Sequence, residues 1–160
     1  MSNGPIIETS RLLMRRLTET DRGPVAELEW LDTDRILERS LGTAWPYGFL
    51  AVILKESGEF CGICGLLKQH LAHGAEIEVA YHFLPCYRGR GFATEAAGGV
   101  MDYAFEQLRH HRLVSLIRPD NLPSRRVAER NGLRHERDLM FHGVMHGMHV
   151  ILKHHRGTGS

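Results

Sequence analysis

Cysteine, long apolar runs and net charge are all scarce in this chain of 160 residues. Three cysteines, an odd number, argue against a disulfide framework and favour a reducing compartment such as the cytoplasm. No apolar run approaches the roughly 20 residues of a transmembrane helix, and residues 1–11 lack the apolar core of a signal peptide. A net charge of +1 gives no sign of a protein that coats nucleic acid or a membrane surface. We therefore expect a cytoplasmic protein with neither of these partners.

What the chain does contain is the composition of an ordinary globular domain. Hydrophobic residues make up 42% of the sequence and charged residues 24%. The length suffices for one domain with its own core, and no repeat, low-complexity tract or linker divides it. We expect a single domain over residues 1–160, in which residues 154–160 form a flexible tail.

Hydrophobic periodicity predicts an α/β (α+β) chain. In the clearest helix, residues 93–108, apolar side chains recur at helical spacing and form one stripe. The strand–helix–strand segment from residue 76 to 117 predicts one crossover within a mostly antiparallel sheet of seven strands. The predicted strands are 11–17, 49–55, 60–67, 76–84, 112–117, 134–139 and 148–153, and the four predicted helices run from Thr20 or Asp21 to about Leu31, from Thr33 to Arg39, from Ala93 to Leu108 and from Asn121 or Leu122 to Arg130.

The most informative stretch is residues 81–96, where an apolar strand, a short turn of glycine and arginine and a helix follow one another. Unpaired N–H groups at a helix N-terminus bind phosphate, and the helix dipole favours negative charge there. Gly89 and Gly91 lack the Cβ atoms that would keep a phosphate from the backbone, and Arg88 and Arg90 add positive charge. The pattern predicts a phosphate-binding loop.

The segment Arg88-Gly89-Arg90-Gly91-Phe92-Ala93 resembles the pyrophosphate loop of the GNAT N-acetyltransferases, whose pattern is Arg/Gln-x-x-Gly-x-Gly/Ala. Other segments resemble the RimJ/RimL-like branch of that family, and the resemblance covers nearly the whole chain. These segments are Glu8 to Leu12, Glu78 to Tyr81, Thr94 to Ala96 and Asn121 to Ser124 with the helix up to Leu133.

The resemblance implies a GNAT fold with a splayed central strand pair, and acetyl-CoA as co-substrate without a metal. The pantetheine arm is expected between the strand ending at Phe83-Leu84 and the strand ending near Ile117, and the pyrophosphate on the amides of Gly89 to Ala93. A main-chain N–H near Phe83 would polarise the thioester carbonyl, and the amine would attack without an acyl-enzyme. The residues expected to bind acetyl-CoA are Phe83, Leu84, Arg88, Gly89, Arg90, Gly91, Phe92, Ala93, Thr94, Asn121 and Ser124.

Glu76 and Glu78 lie two residues apart on a predicted strand and therefore project from one face. The family has an acidic residue at the position of Glu78, which implies that Glu78, or a water that it holds, takes the proton of the amine. Two alternatives remain open. Either carboxylate could bind the substrate ammonium, or it could be a solvated side chain on a half-exposed strand.

Ser124 is the candidate acid, because the resemblance implies that it bonds to the departing sulfur of CoA. The alternative is that Asn121 is a helix N-cap and that Ser124 has only a local backbone bond, and both can hold together. Many family members use a tyrosine after this helix as the acid. This chain has no tyrosine beyond Tyr103, so a water is the other candidate.

Two further patterns are interpreted as non-catalytic. Cys61 and Cys64 form a CxxC match inside a predicted strand, where residues three apart face opposite sides, so we interpret them as packing residues. His142, His146 and His149 lack the helical context of a metal motif, and we expect them beside the acceptor site.

We expect an acetyl-CoA-dependent N-acetyltransferase, an acyltransferase whose acceptor is a primary amine of a protein N-terminus or a small molecule. The alternatives are a transferase that uses a longer acyl-CoA and a CoA-binding sensor or scaffold without turnover. Trp45 either lines the acceptor pocket or covers an edge of the core. Dimers are common in the family, so a homodimer is one expectation, but the sequence identifies no interface.

Overall fold

The structure, a computed structural model, describes residues 6–29, 31–41 and 46–156. Within these ranges, eight strands form one sheet in the order β1-β2-β3-β4-β5-β6-β8-β7, together with four α-helices, none of them long and apolar enough to cross a membrane. The strands are β1 (Ile7–Glu8), β2 (Leu12–Arg16), β3 (Gly48–Leu54), β4 (Phe60–Leu71), β5 (Gly74–Phe83), β6 (Arg112–Ile117), β7 (Arg134–Phe141) and β8 (Val144–Leu152). The helices are α1 (Arg22–Ala26), α2 (Thr33–Leu41), α3 (Phe92–Glu106) and α4 (Leu122–Arg130).

The sheet is antiparallel except between β5 and β6, which run parallel and are connected through α3. The α/β class, the mostly antiparallel sheet and the single crossover are therefore confirmed. The expected count of seven strands is wrong by one, because Ile7 and Glu8 pair with Met14 and Leu13 of β2. Two residues are too few to show a period in the sequence.

The β4–β5 and β7–β8 hairpins reach further than predicted. β4 continues to Leu71 and β5 begins at Gly74, so the two strands meet in a turn at residues 72–73. Similarly, β7 and β8 meet at His142 and Gly143, which both have positive φ angles. Polar side chains interrupt the apolar alternation near these turns, but the main-chain ladder continues regardless of the side chains.

The first helix starts after Asp21, one of the two predicted N-cap residues, but it is shorter than predicted because it ends at Ala26. Residues 19–21 form a 3-10 turn before it. The Asp21 carboxylate accepts a hydrogen bond from the Thr18 N–H at 2.8 Å and two from the Arg15 guanidinium, each at 2.9 Å. This contact ties the start of the helical segment back to β2.

The sheet separates two apolar cores. On one face α3 packs closely, because its inward side carries small residues such as Ala96 and Ala97, which are fully buried. At Gly99 a Cβ atom would lie 2.8 Å from the Thr9 side chain, so glycine permits the close approach of α3 to the N-terminal segment. The opposite face is covered by α1 and α2, whose Val25 and Ile36 are buried in the second core.

The first residues of the expected tail, 154–156, are ordered against the rest of the domain. Lys153–His155 form a 3-10 helix, and the Arg156 guanidinium donates hydrogen bonds to Asp102 Oδ1 at 2.8 Å and to the Asn131 carbonyl at 3.0 Å. Residues 157–160 lie outside the described ranges.

Gly65 in β4 should not tolerate a side chain. A Cβ atom there would lie 2.1 Å from the Gly48 carbonyl oxygen on β3, and neither backbone can move without disturbing the pairing of these central strands. We expect Gly65→Ala to lower the free energy of unfolding by about 2 kcal/mol or more, as measured by urea denaturation. The control is Gly23→Ala, because nothing lies within 4 Å of the added Cβ atom. Equal stability of the two variants would contradict this packing.

Candidate active site

The candidate site lies where β5 and β6 part. The two strands pair at Glu78 and Val114, and no other pairing between them occurs within the described residues. Beyond this pair, β5 continues to Phe83 and β6 to Ile117 without a ladder between them. The structure therefore contains the splayed central strand pair that the sequence resemblance implied.

Side chains replace part of the missing ladder. The Ser115 hydroxyl of β6 donates a hydrogen bond to the Val79 carbonyl of β5 at 2.7 Å. The Leu116 N–H of β6 donates to Glu78 Oε2 at 3.0 Å. These two bonds satisfy buried main-chain groups beside the gap, so the strands can stay apart without leaving those groups unpaired.

The predicted phosphate-binding loop follows β5 directly. Phe83 ends the strand, residues 85–87 form a 3-10 turn, and α3 begins at Phe92. Gly89 and Gly91 have φ angles of 76° and 81°, in the left-handed region that favours glycine. Gly91 is the N-cap of α3 and has no side chain to bond the first-turn N–H groups. These donors remain available for an anion.

The two arginines of the loop are engaged with protein groups. Arg88 Nε donates a hydrogen bond to the Phe83 carbonyl at 3.2 Å, and Arg88 Nη1 lies 3.5 Å from Glu29 Oε2. The Arg90 guanidinium lies over the Phe92 ring, 4.9 Å from its centroid. The sequence predicted both charges beside the phosphate. In the structure the main-chain N–H groups form the candidate anion site, and Arg88 is tied to the end of β5 beside it.

Glu78 is buried where the strands part, with 6% of its surface exposed. Its Oε1 accepts a hydrogen bond from the Gln69 amide at 2.9 Å, and its Oε2 accepts the Leu116 N–H. Burial raises the pKa of Glu78 to about 7, although both hydrogen bonds favour the charged form. A carboxylate with this pKa can take up and release a proton at neutral pH.

Glu76 has a different environment from Glu78. Its carboxylate accepts two hydrogen bonds from the Arg112 guanidinium, at 3.0 and 2.9 Å, and lies 2.9 Å from His73 Nε2. Burial acts to raise the pKa of Glu76, but the bonds from Arg112 and His73 outweigh it and hold the pKa below its usual value. Glu76 is thus a charged partner of Arg112, and the structure offers no support for its binding a substrate ammonium.

The N-terminus of α4 carries the expected cap. The Asn121 side chain accepts a hydrogen bond from the Ser124 N–H at 3.2 Å, which confirms the predicted N-cap. The Ser124 hydroxyl takes no part in this bond. The local backbone role of Ser124 and a role of its hydroxyl in chemistry therefore remain compatible.

Tyr81 is a site residue that the sequence did not single out. Its hydroxyl donates a hydrogen bond to the Ser124 carbonyl at 2.9 Å, so β5 is tied to α4 beside the gap. Burial raises the pKa of Tyr81, which keeps the phenol protonated as a donor. The only signal in the sequence was its place in the segment Glu78 to Tyr81, three residues after the candidate base.

The CxxC pair belongs to the core. Cys61 and Cys64 are buried free thiols in one apolar cluster. The expectation that they face opposite sides is wrong, because an irregularity in the β3–β4 pairing at Val52 and Ile53 shifts the alternation beside Cys61. Burial raises the pKa of Cys61 to about 11 and raises that of Cys64 as well, so neither is a ready thiolate. Their interpretation as packing residues is confirmed.

The C-terminal histidines are spread over the β7–β8 hairpin. His142 and His146 lie around the Phe141 ring near the hairpin tip, and His149 is buried further along β8. Among the residues that the structure describes, no group of three or more His, Cys, Asp or Glu side chains could hold a metal. Trp45, the other residue expected near the acceptor, lies outside the described ranges.

Residues 11–134 match the family model described as an acetyltransferase (GNAT) domain. The chain is 37% identical over 59 residues to the uncharacterized N-acetyltransferase YnaD of Bacillus subtilis, which covers 37% of this chain and 35% of that protein. It is 28% identical over 98 residues to the spermidine N(1)-acetyltransferase of Escherichia coli, with coverage of 61% and 52%. A GNAT-family acetyltransferase structure from Bacillus anthracis superposes with a TM-score of 0.77 and 25% identity, covering 92% of this chain and 98% of that one. The aligned segments span 35% to 49% of the lengths of four Bacillus relatives.

Glu78→Gln should change how stability depends on pH. The pKa of Glu78 is about 7 in the folded protein against 4.5 for an ordinary glutamate. The unfolded chain therefore loses this proton at lower pH than the folded protein, and the free energy of unfolding of the wild type falls as the pH rises from 5 to 8. Glutamine carries no charge, so the variant should gain about 2 kcal/mol relative to the wild type over that interval. Urea denaturation at several pH values measures the difference.

Asp21→Asn is the matched control for this measurement. The pKa of Asp21 is lowered, so its contribution to stability is present above the ordinary aspartate pKa and is lost only as the pH falls below it. Its partners, the Arg15 guanidinium and the Thr18 N–H, do not titrate in this interval. The stability difference between Asp21→Asn and the wild type should therefore stay constant from pH 5 to 8. A constant difference for Glu78→Gln as well would contradict the raised pKa of Glu78.

Proposed function

Because the chain belongs to the acetyltransferase (GNAT) family, we propose that it is an enzyme that transfers the acetyl group of acetyl-CoA directly to a primary amine. The observation that carries this proposal is the gap between β5 and β6, which is followed along the chain by the glycine loop at the N-terminus of α3. An unpaired strand edge that leads into a cluster of free N–H groups suits a long thioester with phosphates at its far end.

Acetyl-CoA fits these features as a co-substrate. Its pantetheine amides suit the main-chain edge of β5 from Val79 to Phe83, and its pyrophosphate suits the N–H groups of Gly89 to Ala93. We assign the polarisation of the thioester carbonyl to a main-chain N–H near Phe83. The main chain at Thr94 and the Asn121 side chain complete the proposed polar contacts. Leu84 would contribute only its partly buried side chain, because its N–H donates to the Cys61 carbonyl at 2.9 Å and its carbonyl accepts from the Tyr87 N–H at 3.0 Å.

The chemistry requires two proton transfers. The amine nitrogen bonds to the carbonyl carbon, the carbon–sulfur bond breaks, and its electron pair goes to sulfur. We assign the proton released by the amine to Glu78, directly or through a water, because its pKa of about 7 suits a base at neutral pH. A proton then reaches the sulfur from the Ser124 hydroxyl or from a water, and the proton held by Glu78 returns through solvent to the group that gave it, so that both groups regain their starting states.

The role of Ser124 is supported by the way α4 is fixed. Asn121 caps the first turn, and the Tyr81 hydroxyl holds the Ser124 carbonyl, so the backbone that carries the Ser124 hydroxyl is held from two sides. A hydroxyl on a backbone held in this way can be oriented toward one atom at low entropic cost.

The acceptor is proposed at the level of a primary amine. The motifs that resemble the RimJ/RimL-like branch favour a protein N-terminus, whereas the Escherichia coli relative is named for spermidine. We place the acceptor on the side of the β7–β8 hairpin that carries His142 and His146. The free cysteines support the cytoplasm as the location.

The purified protein should release CoA thiol from acetyl-CoA only when an amine is added. A panel with spermidine, free amino acids and peptides with unblocked N-termini identifies the acceptor class, and a thiol reagent follows turnover. Faster turnover with a longer acyl-CoA than with acetyl-CoA would show that the longer thioester, and not acetyl-CoA, is the donor. CoA binding without thiol release for any amine would contradict catalysis and indicate a sensor or scaffold.

Gly91→Asp should weaken acetyl-CoA binding by about tenfold or more. Aspartate at this N-cap position would compete with the pyrophosphate for the first-turn N–H groups of α3 and would add negative charge to the loop. Isothermal titration calorimetry measures the dissociation constant. Gly58→Asp is the matched control, since Gly58 has a similar positive φ of 75° in the turn before β4. Both variants strain the backbone, but only the first places charge in the loop. Normal CoA binding by Gly91→Asp would show that the loop does not bind the pyrophosphate.

Ser124→Ala should lower kcat with little change in the affinity for acetyl-CoA, if the hydroxyl protonates the leaving sulfur. Loss of one general acid typically costs about a hundredfold or more in rate. Steady-state turnover and calorimetry on the same preparations separate the two quantities. An unchanged kcat would leave a water as the acid.

A further inference from the structure

The N-terminal segment before β2 is joined to the first turn of α3 by several hydrogen bonds. Glu95, in the first turn of that helix, accepts hydrogen bonds at Oε2 from the Thr9 hydroxyl at 2.5 Å and from the Arg11 N–H at 2.8 Å. Its Oε1 accepts a bond from Arg11 Nε at 2.7 Å. The bonds from Arg11 and Thr9 hold the pKa of Glu95 below its usual value, although burial acts to raise it.

The same Arg11 side chain reaches the glycine loop. Arg11 Nη1 donates a hydrogen bond to the Arg90 carbonyl at 2.9 Å, and the guanidinium lies over the Phe92 ring, 4.4 Å from its centroid. Arg11 therefore contacts the residues on both sides of Gly91. A Cβ atom on Gly91 would lie 3.3 Å from Arg11 Nη2, so the guanidinium also closes one side of the loop.

The contact with the Arg90 carbonyl fixes the orientation of the peptide group between Arg90 and Gly91. In a trans peptide group the carbonyl and the following N–H point in opposite directions. With the Arg90 carbonyl bound to Arg11, the Gly91 N–H must point away from Arg11. Glycines at positions 89 and 91 give the loop wide conformational freedom, so an external contact is needed to hold one peptide orientation.

The Glu95 carboxylate adds negative charge at the N-terminus of α3, and the Arg11 guanidinium offsets that charge. A carboxylate in the first turn of a helix is favoured by the helix dipole, but it competes with any anion that binds at the same terminus. The Arg11 guanidinium pairs with this carboxylate at 2.7 Å, which offsets its charge. The pair thus leaves the free N–H groups available to an external phosphate.

We propose that Arg11, anchored by Glu95 and Thr9, is a positioning residue that orients the Gly91 N–H toward the pyrophosphate of the acyl donor. This inference rests on the proposed function, because it requires acetyl-CoA to bind at the loop. It assigns a role to the segment Glu8 to Leu12. Arg11 acts through the loop and does not touch the reacting atoms.

The test compares two acyl donors that differ in the pyrophosphate and in the 3′-phosphoadenosine attached to it. Acetyl-CoA contains both, whereas S-acetylpantetheine carries the same thioester and pantetheine arm without any phosphate. For Arg11→Gln, we expect kcat/KM with acetyl-CoA to fall by about tenfold, through KM, because a charge-assisted main-chain contact is lost. The value with S-acetylpantetheine should stay within about twofold of the wild type. An equal loss with both donors, or no loss with either, would overturn the proposal.

Arg15→Gln is the matched control, because Arg15 lies on β2 and also forms a bidentate pair, with Asp21, away from the loop. It should affect the two donors equally. If Arg11→Gln does not fold, Arg11→Lys and Glu95→Gln provide the same comparison. Lysine keeps the charge but cannot bond the Glu95 carboxylate and the Arg90 carbonyl as a planar fork. Either variant should selectively weaken use of acetyl-CoA, and a non-selective effect would contradict the proposal.

Binding distinguishes this inference from the proposed function. If the wild type binds CoA but releases no thiol with any amine, catalysis fails while the role of Arg11 is still tested by calorimetry with CoA. In that case a dissociation constant raised about tenfold in Arg11→Gln supports the inference, and an unchanged one overturns it. If the wild type does not bind CoA, both proposals are overturned.

Discussion

The separation of β5 from β6 is the constraint on which the rest of the site depends. Neighbouring strands in a sheet normally satisfy each other's main-chain groups, yet this parallel pair is joined at Glu78 and Val114 and then parts. The Ser115 hydroxyl and the Glu78 carboxylate take over two of the missing bonds. The second of these substitutions also creates the candidate base, because the position that lets Glu78 reach β6 is buried enough to raise its pKa to about 7.

At the glycine loop, too, main-chain groups and side chains have separate roles. Main-chain N–H groups form the candidate anion site, whereas the Arg88 and Arg11 side chains hold the backbone around it. Arg88 bonds the end of β5, and Arg11 bonds the Arg90 carbonyl while Glu95 holds it in place. Tyr81 and Asn121 act in the same way on α4. A gap with this support around it is suited to one extended ligand whose two ends have different chemistry.

The sequence predicted those features that depend on local chemistry. The glycine loop, the Asn121 cap and the apolar stripe of α3 are each encoded within a few residues, and all are present. Features that depend on distant partners were missed. Glu76 and Arg112 are 36 residues apart in the chain, and Tyr81 meets Ser124 across 43 residues, so no local pattern reveals either contact. The two-residue β1 and the irregular β3–β4 pairing that groups the two core cysteines likewise arise from pairing between strands.

The central claim is that the edge of β5 and the amides of the glycine loop together hold acetyl-CoA. Hydrogen exchange followed by mass spectrometry, with and without saturating CoA, tests it most directly because it reports on main-chain N–H groups. We expect slower exchange in peptides covering residues 79–83 and 89–93, and no change in the edge strand at residues 134–141. Slower exchange confined to other segments, or none anywhere while CoA is bound, would contradict it.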